Sequence, residues 1–201
     1  MIPLFHDVRG KRVVIFGGGR VAARKADLFA PEADVVVVSR EFDDRLAEID
    51  CRQVESEIDA DEAATRVGDA FLVIPATDDA ELNAAIADEA RAAGALVNRV
   101  DEPGEVVTPS VIAGEHVTVG ISTEGASPAV SKHLRRRLES EIEAIDPMVA
   151  LQADLREDAT ELGEAARREF LWNVLEDDRI KSALADGDWD RARRLAEGHR
   201  P

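Results

Sequence analysis

Gly17-Gly18-Gly19-Arg20-Val21-Ala22 fits G-x-G-x-x-A, between the apolar run Val13-Val14-Ile15-Phe16 and an Ala-rich stretch. The chemistry on offer is anion binding. The first glycine of the motif permits a tight turn, and the next lets backbone approach a pyrophosphate. Ala22 lets a helix pack close to a sheet. The helix N-terminus favours negative charge at the same place. Two further polar segments follow apolar runs: Thr77 and Asp78 in PATDD, and Asp101 in Asn98-Arg99-Val100-Asp101. Beyond the carboxyl ends of parallel strands they would border a bound dinucleotide. Asp101 then falls near a nicotinamide. It is equally an ordinary loop aspartate before the turn-forming pair Pro103-Gly104. Asp78 and Asp79 either line the crevice or cap the next helix. An acid about 20 residues past the glycines would bind the adenosine ribose, but here stands Ser39-Arg40. Arg40 points to NADP and the Ser39 hydroxyl serves either ribose, so spacing leaves NAD against NADP open.

These positions make sense only on an alternating scaffold. Val13 to Phe16, Asp34 to Ser39, Arg52 to Val54, Ala70 to Pro75 and Ala95 to Asn98 read as strands. Continuous β-branched runs suit strands buried on both faces. Helices are expected over Arg20–Ala30, Phe42–Ile49 and Asp79–Ala93, giving crossover connections and a parallel sheet. The pattern changes at 107–123, two β segments turning at Gly114-Glu115. A charged helix over Ser127–Ile145 follows, with Pro147 as a boundary and polar helices beyond it. The expectation is an α/β chain: a Rossmann-like parallel sheet domain (1–113), a strand–helix region (114–146) and a small helical C-terminal domain (147–201).

Composition narrows the classes. The 201 residues are 45% hydrophobic, enough for a sizeable core. No run approaches the roughly 20 apolar residues of a membrane span, and MIPLFHDVRGKR lacks the apolar stretch of a signal peptide. A soluble cytoplasmic protein with no membrane partner is expected. The single cysteine, Cys51, excludes an internal disulfide and a Cys-rich metal site. The net charge of −17 comes with only four lysines and acids spread along the chain. That suits a halophilic protein kept hydrated in concentrated salt. It argues against nucleic acid as a partner, and KHLRRRLE is too short a basic patch to reverse this. The four histidines, His6, His116, His133 and His199, show no metal-ligand spacing, so no resident metal is expected.

Four blocks in order, PLFHDVRGKRVVIFGGGRVAARKADLF, PATDDAELNAAIADEA, VNRVDEP and TPSVIAGEHVTVGISTEGASPAVSKHLRRRLE, resemble the siroheme synthase dehydrogenase family. Its members are precorrin-2 dehydrogenases, some also sirohydrochlorin ferrochelatases. The resemblance covers most of residues 2–145. It implies NAD-dependent oxidation of precorrin-2 to sirohydrochlorin by a homodimer formed through the strand–helix region. NAD, not NADP, is the family's usual cofactor. The glycine segment matches at Gly17, Gly18 and Gly19. The family's important aspartate matches Asp101, for which the resemblance implies a catalytic role, as base or as stabiliser of positive charge; a substrate-closed cleft would raise its pKa.

ISTEGASP matches a loop at the substrate cleft, which brings in Ser122, Thr123 and Ser127, with Asn98 and Arg135 as further substrate contacts. The sequence departs at Thr123-Glu124, where a Ser-Gly pair also occurs, and Glu124 is expected to point away from a polycarboxylate substrate. In KHLRRRLE some of the cationic groups hold substrate carboxylates, or Lys132 and Arg136, four apart on a helix, pair with Glu139 or Glu143. Arg24 and Lys25 read as surface or dimer residues. The rival reading is a dinucleotide-sensing regulatory module without turnover. It usually carries the acid missing here and has no use for VNRVDEP or ISTEGASPA.

Overall fold

The computed structural model describes residues 3–102 and 106–201; for Ala60 and Asp61 the backbone alone is described. The turn expected at Pro103-Gly104 lies outside the described residues. The chain divides into two units, residues 1–108 and 109–201.

In the first unit, β1 (Arg12–Phe16), β2 (Asp34–Ser39), β3 (Arg52–Glu55), β4 (Leu72–Pro75) and β5 (Leu96–Val97) form one sheet of order β3-β2-β1-β4-β5. Every pairing is parallel. Crossovers are α1 (Arg20–Phe29), α2 (Ala60–Val67), α3 (Ala80–Ala92) and a 3-10 turn at Asp44–Glu48. Side chains alternate across a strand, so Val13, Ile15, Val35 and Val37 pack with Ala22, Ala23 and Ala26 of α1. Val14, Phe16, Val36 and Val38 pack with Ala63 and Val67 of α2 and Ile86, Ala87 and Ala90 of α3 on the other face. Two covered faces explain why these strands are apolar throughout rather than alternating.

Helix α2 is absent from the sequence reading. Its signal is Asp59, whose carboxylate accepts from the Glu62 N–H as an N-cap. A crossover is also required wherever two parallel strands follow one another.

The second unit begins with an antiparallel hairpin, β6 (Ser110–Ala113) and β7 (Thr118–Ile121). It continues into α4 (Pro128–Asp158), α5 (Glu164–Glu176), α6 (Asp178–Ala185) and α7 (Trp189–Glu197). The division falls at 108/109 rather than at the expected 113, and among the described residues β6 pairs with β7 alone. The boundary expected at Pro147 does not occur: α4 runs through it. A proline inside a helix forfeits one backbone hydrogen bond. Here packing on both sides outweighs that loss. Asp146 is buried and held by the hairpin turn, while Met148, Leu151 and Leu155 join Phe170, Val174 and Ile180 in the helical core. Truncating Phe170 to alanine would cost about 3–5 kcal/mol.

Candidate active site

Strand order reverses between β1 and β4, and ligands of open parallel sheets bind at such a switch point. The glycine loop lies there. Gly17 has φ +109, a conformation L side chains rarely adopt, and a Cβ on it would stand 2.5 Å from the Ala76 carbonyl oxygen after β4. A Cβ on Gly18 would meet the Glu41 carbonyl at 2.0 Å and Ser39 Oγ at 2.8 Å. Gly19 differs, with open space where its Cβ would point. As N-cap of α1 it supplies no side-chain acceptor, so the first-turn amides at Arg20 and Val21 keep their hydrogen-bonding capacity for a ligand. A backbone cradle without side chains, open on one side, fits a pyrophosphate.

The flanking residues divide. Ser39 packs against Gly18. Arg40 is exposed and lies only 3.9 Å from an equally exposed Glu57 carboxylate. Thr77 turns inward, its hydroxyl 2.8 Å from Asn83 Oδ1. Asp79, not Asp78, caps α3, accepting from the N–H groups of Glu81 and Leu82 at 2.9 and 3.0 Å. Asp78 is exposed.

The segment after β5 is fastened from both faces of the sheet. From α1, the Lys25 ammonium donates to Asn98 Oδ1 at 2.7 Å and to Thr108 Oγ1 at 2.8 Å. Asn98 Nδ2 donates to the Val106 carbonyl at 2.6 Å. From α3, Asn83 Nδ2 donates to Asp101 Oδ2 at 3.4 Å. Lys25 is therefore not the surface residue expected: it is half-buried and turned inward. Burial, with Arg24 nearby, pushes its amine down to about 8. The Asn98 amide, expected to contact substrate, also holds this segment through Lys25, Thr108 and Val106.

Asp101 faces Arg99 in a two-pronged pair, Nε to Oδ1 at 2.9 Å and Nη2 to Oδ2 at 2.7 Å. Arg99 also contacts Glu102. The guanidinium holds the Asp101 carboxyl below the usual carboxylate range, against a smaller opposing push from burial. The rise expected on closure is thus opposed here by a neighbouring cation, and a low pKa makes a poor base but a dependable anion.

The other expected residues lie in the second unit. Thr123 Oγ1 donates to the Ser127 carbonyl at 3.1 Å and meets Ser131 Oγ at 3.2 Å. Ser127 caps α4, and Ser122 Oγ accepts from the Glu124 N–H at 3.1 Å. Glu124 adopts φ 52, beside Gly125 at φ 80, so the loop is a tight left-handed turn. Arg135 pairs with Glu139 at 2.7 Å, one helical turn away.

Sequence reasoning missed Asn83 and undervalued Lys25. Asn83 carried a faint signal, a polar residue on the apolar face of a helix. Lys25 carried none, because its partners are distant in the chain.

The fold and the glycine loop define a Rossmann-like NAD(P)-binding protein. Residues 4–110 match the family model for NAD(P)-binding, and residues 116–141 match that for the sirohaem biosynthesis protein central region. A precorrin-2 dehydrogenase of Methanosarcina barkeri is 40% identical over 195 residues, covering 92% of this chain and 87% of that protein. Siroheme synthase 3 of Aeromonas hydrophila is 33% identical over 204 residues, covering 98% of this chain. The siroheme synthase of Sodalis glossinidius is 34% identical over 202 residues. The chain spans 43% of each of these two synthases. A solved structure, SirC, precorrin-2 dehydrogenase, superposes with a TM-score of 0.73 at 21% identity, over 98% of this chain and all of that one, which establishes the shared fold. The chain belongs to the precorrin-2 dehydrogenase family.

Proposed function

We propose that the protein oxidises precorrin-2 to sirohydrochlorin with NAD. The observation that carries this is an open glycine cradle at the switch point with an anionic Asp101 on a segment anchored beside it. Hydride acceptance is the chemistry that NAD supplies when bound. Gly17, Gly18 and Gly19, with the amides of Arg20 and Val21, would hold its pyrophosphate, and Ser39 its ribose. Thr77 borders the same crevice, and exposed Arg40 and Asp78 lie on its rim. Loss of a hydride from carbon leaves positive charge on the tetrapyrrole. The Asp101 carboxylate, ionised throughout the neutral range, stabilises that charge before the proton departs. Ser122, Thr123, Ser127 and Arg135 are assigned to substrate carboxylates and ring edges.

The site works in a cytoplasmic homodimer. Val130, Leu134 and Leu138 recur every four residues along α4, 48%, 37% and 37% exposed, an apolar stripe suited to a second copy of the chain. The acidic, lysine-poor surface suits concentrated salt. Ferrous iron insertion into sirohydrochlorin is a second activity of the same site, with iron as substrate and the Asp101 anion as its attractor; the siroheme synthase relatives favour it. Among the described residues no helix is long and apolar enough to cross a membrane.

The test is an anaerobic assay in high salt with precorrin-2 generated in place, following tetrapyrrole absorbance and reduced nucleotide together. Equal conversion and NADH formation is the expected result. NAD binding by folded protein without conversion would favour the sensor instead.

A further inference from the structure

Asn83 is 1% exposed, on the sheet-facing side of α3. Its carboxamide has two acceptor sites and two N–H donors, and all four are used. Oδ1 accepts from the Thr77 N–H at 3.1 Å and the Thr77 hydroxyl at 2.8 Å. Nδ2 donates to the Thr77 carbonyl at 3.1 Å and to Asp101 Oδ2 at 3.4 Å. Satisfying a buried amide needs only some acceptor for the last N–H. Here that acceptor is the carboxylate with the chemical role.

The other contact of that carboxylate comes from its own loop. Arg99 is two residues away and pairs with both Asp101 and Glu102. These partners all belong to one short segment, so Arg99 sets the charge of Asp101 without tying it to another element. Asn83 belongs to a helix packed on the sheet through Ile86, Ala87 and Ala90. Among the described residues it is the partner that ties the Asp101 carboxylate to the scaffold. The same side chain grips the loop after β4, at the edge of the cofactor crevice.

We propose that Asn83 is a positioning residue that joins the Thr77 loop to the Asp101 carboxylate, so that cofactor edge and reacting anion share one fixed point. This rests on the reading of Asp101 given above. The role is specific to an amide: an aspartate in its place would still accept from the Thr77 N–H and hydroxyl. It would have no donor for Asp101 and would set a second carboxylate against it.

The test compares Asn83→Asp, Asp101→Asn and the double variant Asn83→Asp/Asp101→Asn in the precorrin-2 assay, with NAD affinity measured separately. Asn83→Asp is expected to bind NAD about as the wild type does while kcat falls roughly 10²-fold. The acid limb of its pH profile should move up by about one unit or more, because paired carboxylates resist joint ionisation. The double variant restores a donor–acceptor pair in reverse. Its melting temperature should recover in part, the Thr77 carbonyl still lacking its donor, while turnover stays low. Wild-type kcat and pH profile in Asn83→Asp would overturn the proposal. So would a double variant that regains turnover where Asp101→Asn alone does not, since a carboxylate at either position would then serve and its placement by Asn83 would not matter. Full turnover by Asp101→Asn would instead overturn the role of Asp101 itself, a distinguishable failure.

Discussion

The Lys25 ammonium donates to the Asn98 amide oxygen at 2.7 Å across 73 positions of sequence. Among the described residues the third member of the cluster is the Thr108 hydroxyl rather than a carboxylate. The cluster fastens the end of β5 and the last residue of the first unit to α1. It also carries a thermodynamic signature. With its folded pKa lowered to about 8 from 10.5, Lys25 keeps its proton longer in the unfolded chain. Between those values the unfolded state binds more protons, so stability rises with pH; below pH 8 the charged amine costs stability in full. In Lys25→Met this rise should vanish. Urea unfolding at pH 7.5 and 9.5 should show the wild type gaining on the order of 1–2 kcal/mol relative to the variant. Equal changes would mean that the amine is not desolvated.

The glycine loop predicts a dissection of fold from binding. A methyl at Gly19 meets nothing in the protein, and alanine is poorer than glycine at a helix N-cap by no more than about 1 kcal/mol. Gly19→Ala should therefore fold normally yet bind NAD at least tenfold more weakly, because the methyl occupies the cradle. In Gly18→Ala the methyl collides with backbone at Glu41. That variant should lose about 1–3 kcal/mol of stability as well as binding. Calorimetric melting and NAD titration on both variants separate the two effects.

Asp101, paired with Arg99, is held below its ordinary pKa of about 3.9. The pH profile of kcat/KM should then show no acid limb from this group between about pH 5 and 8. Asp101→Asn should lower kcat by roughly 10²-fold or more without changing the profile's shape there. A limb near pH 6 that disappears in Asp101→Asn would assign it a raised pKa and a base's role.

In the second unit, Asp146 on α4 accepts from the N–H groups of Glu115, His116 and Val117 at 3.0, 3.0 and 2.7 Å. Burial raises its pKa, but the three backbone donors more than offset that, and the net direction is down. Its stabilisation is fully present above the unfolded value, about 3.9, and is lost as pH falls through the lower folded value. Asp146→Asn replaces an acceptor with a donor facing N–H groups and should melt below the wild type at pH 7. Its acid-induced loss of stability should be shallower. Gly114→Ala, whose methyl would press on Asp146 Oδ1 at 2.3 Å, should destabilise the same turn. Thermal melts at pH 7 and at about pH 2.5, below the unfolded value, check both.

Much of this protein was legible in the chain itself. Apolar runs at Val13–Phe16 and Asp34–Ser39, separated by an Ala-rich helix, determine a parallel sheet, because strands buried on both faces need crossovers to cover them. The glycine loop followed from local conformation, since the turn at Gly17 needs a positive φ. What only the tertiary structure decided is where polar side chains turn. The sequence could not say that Asp79 rather than Asp78 caps α3. Nor could it say that α4 continues through Pro147, that Lys25 faces Asn98, or that Asn83 reaches Asp101. Each outcome depends on a partner brought near by folding, and a hydrogen bond requires a distance and a direction that sequence spacing does not encode. Hydrophobic pattern is periodic and local; the placement of a buried donor against one particular acceptor is neither.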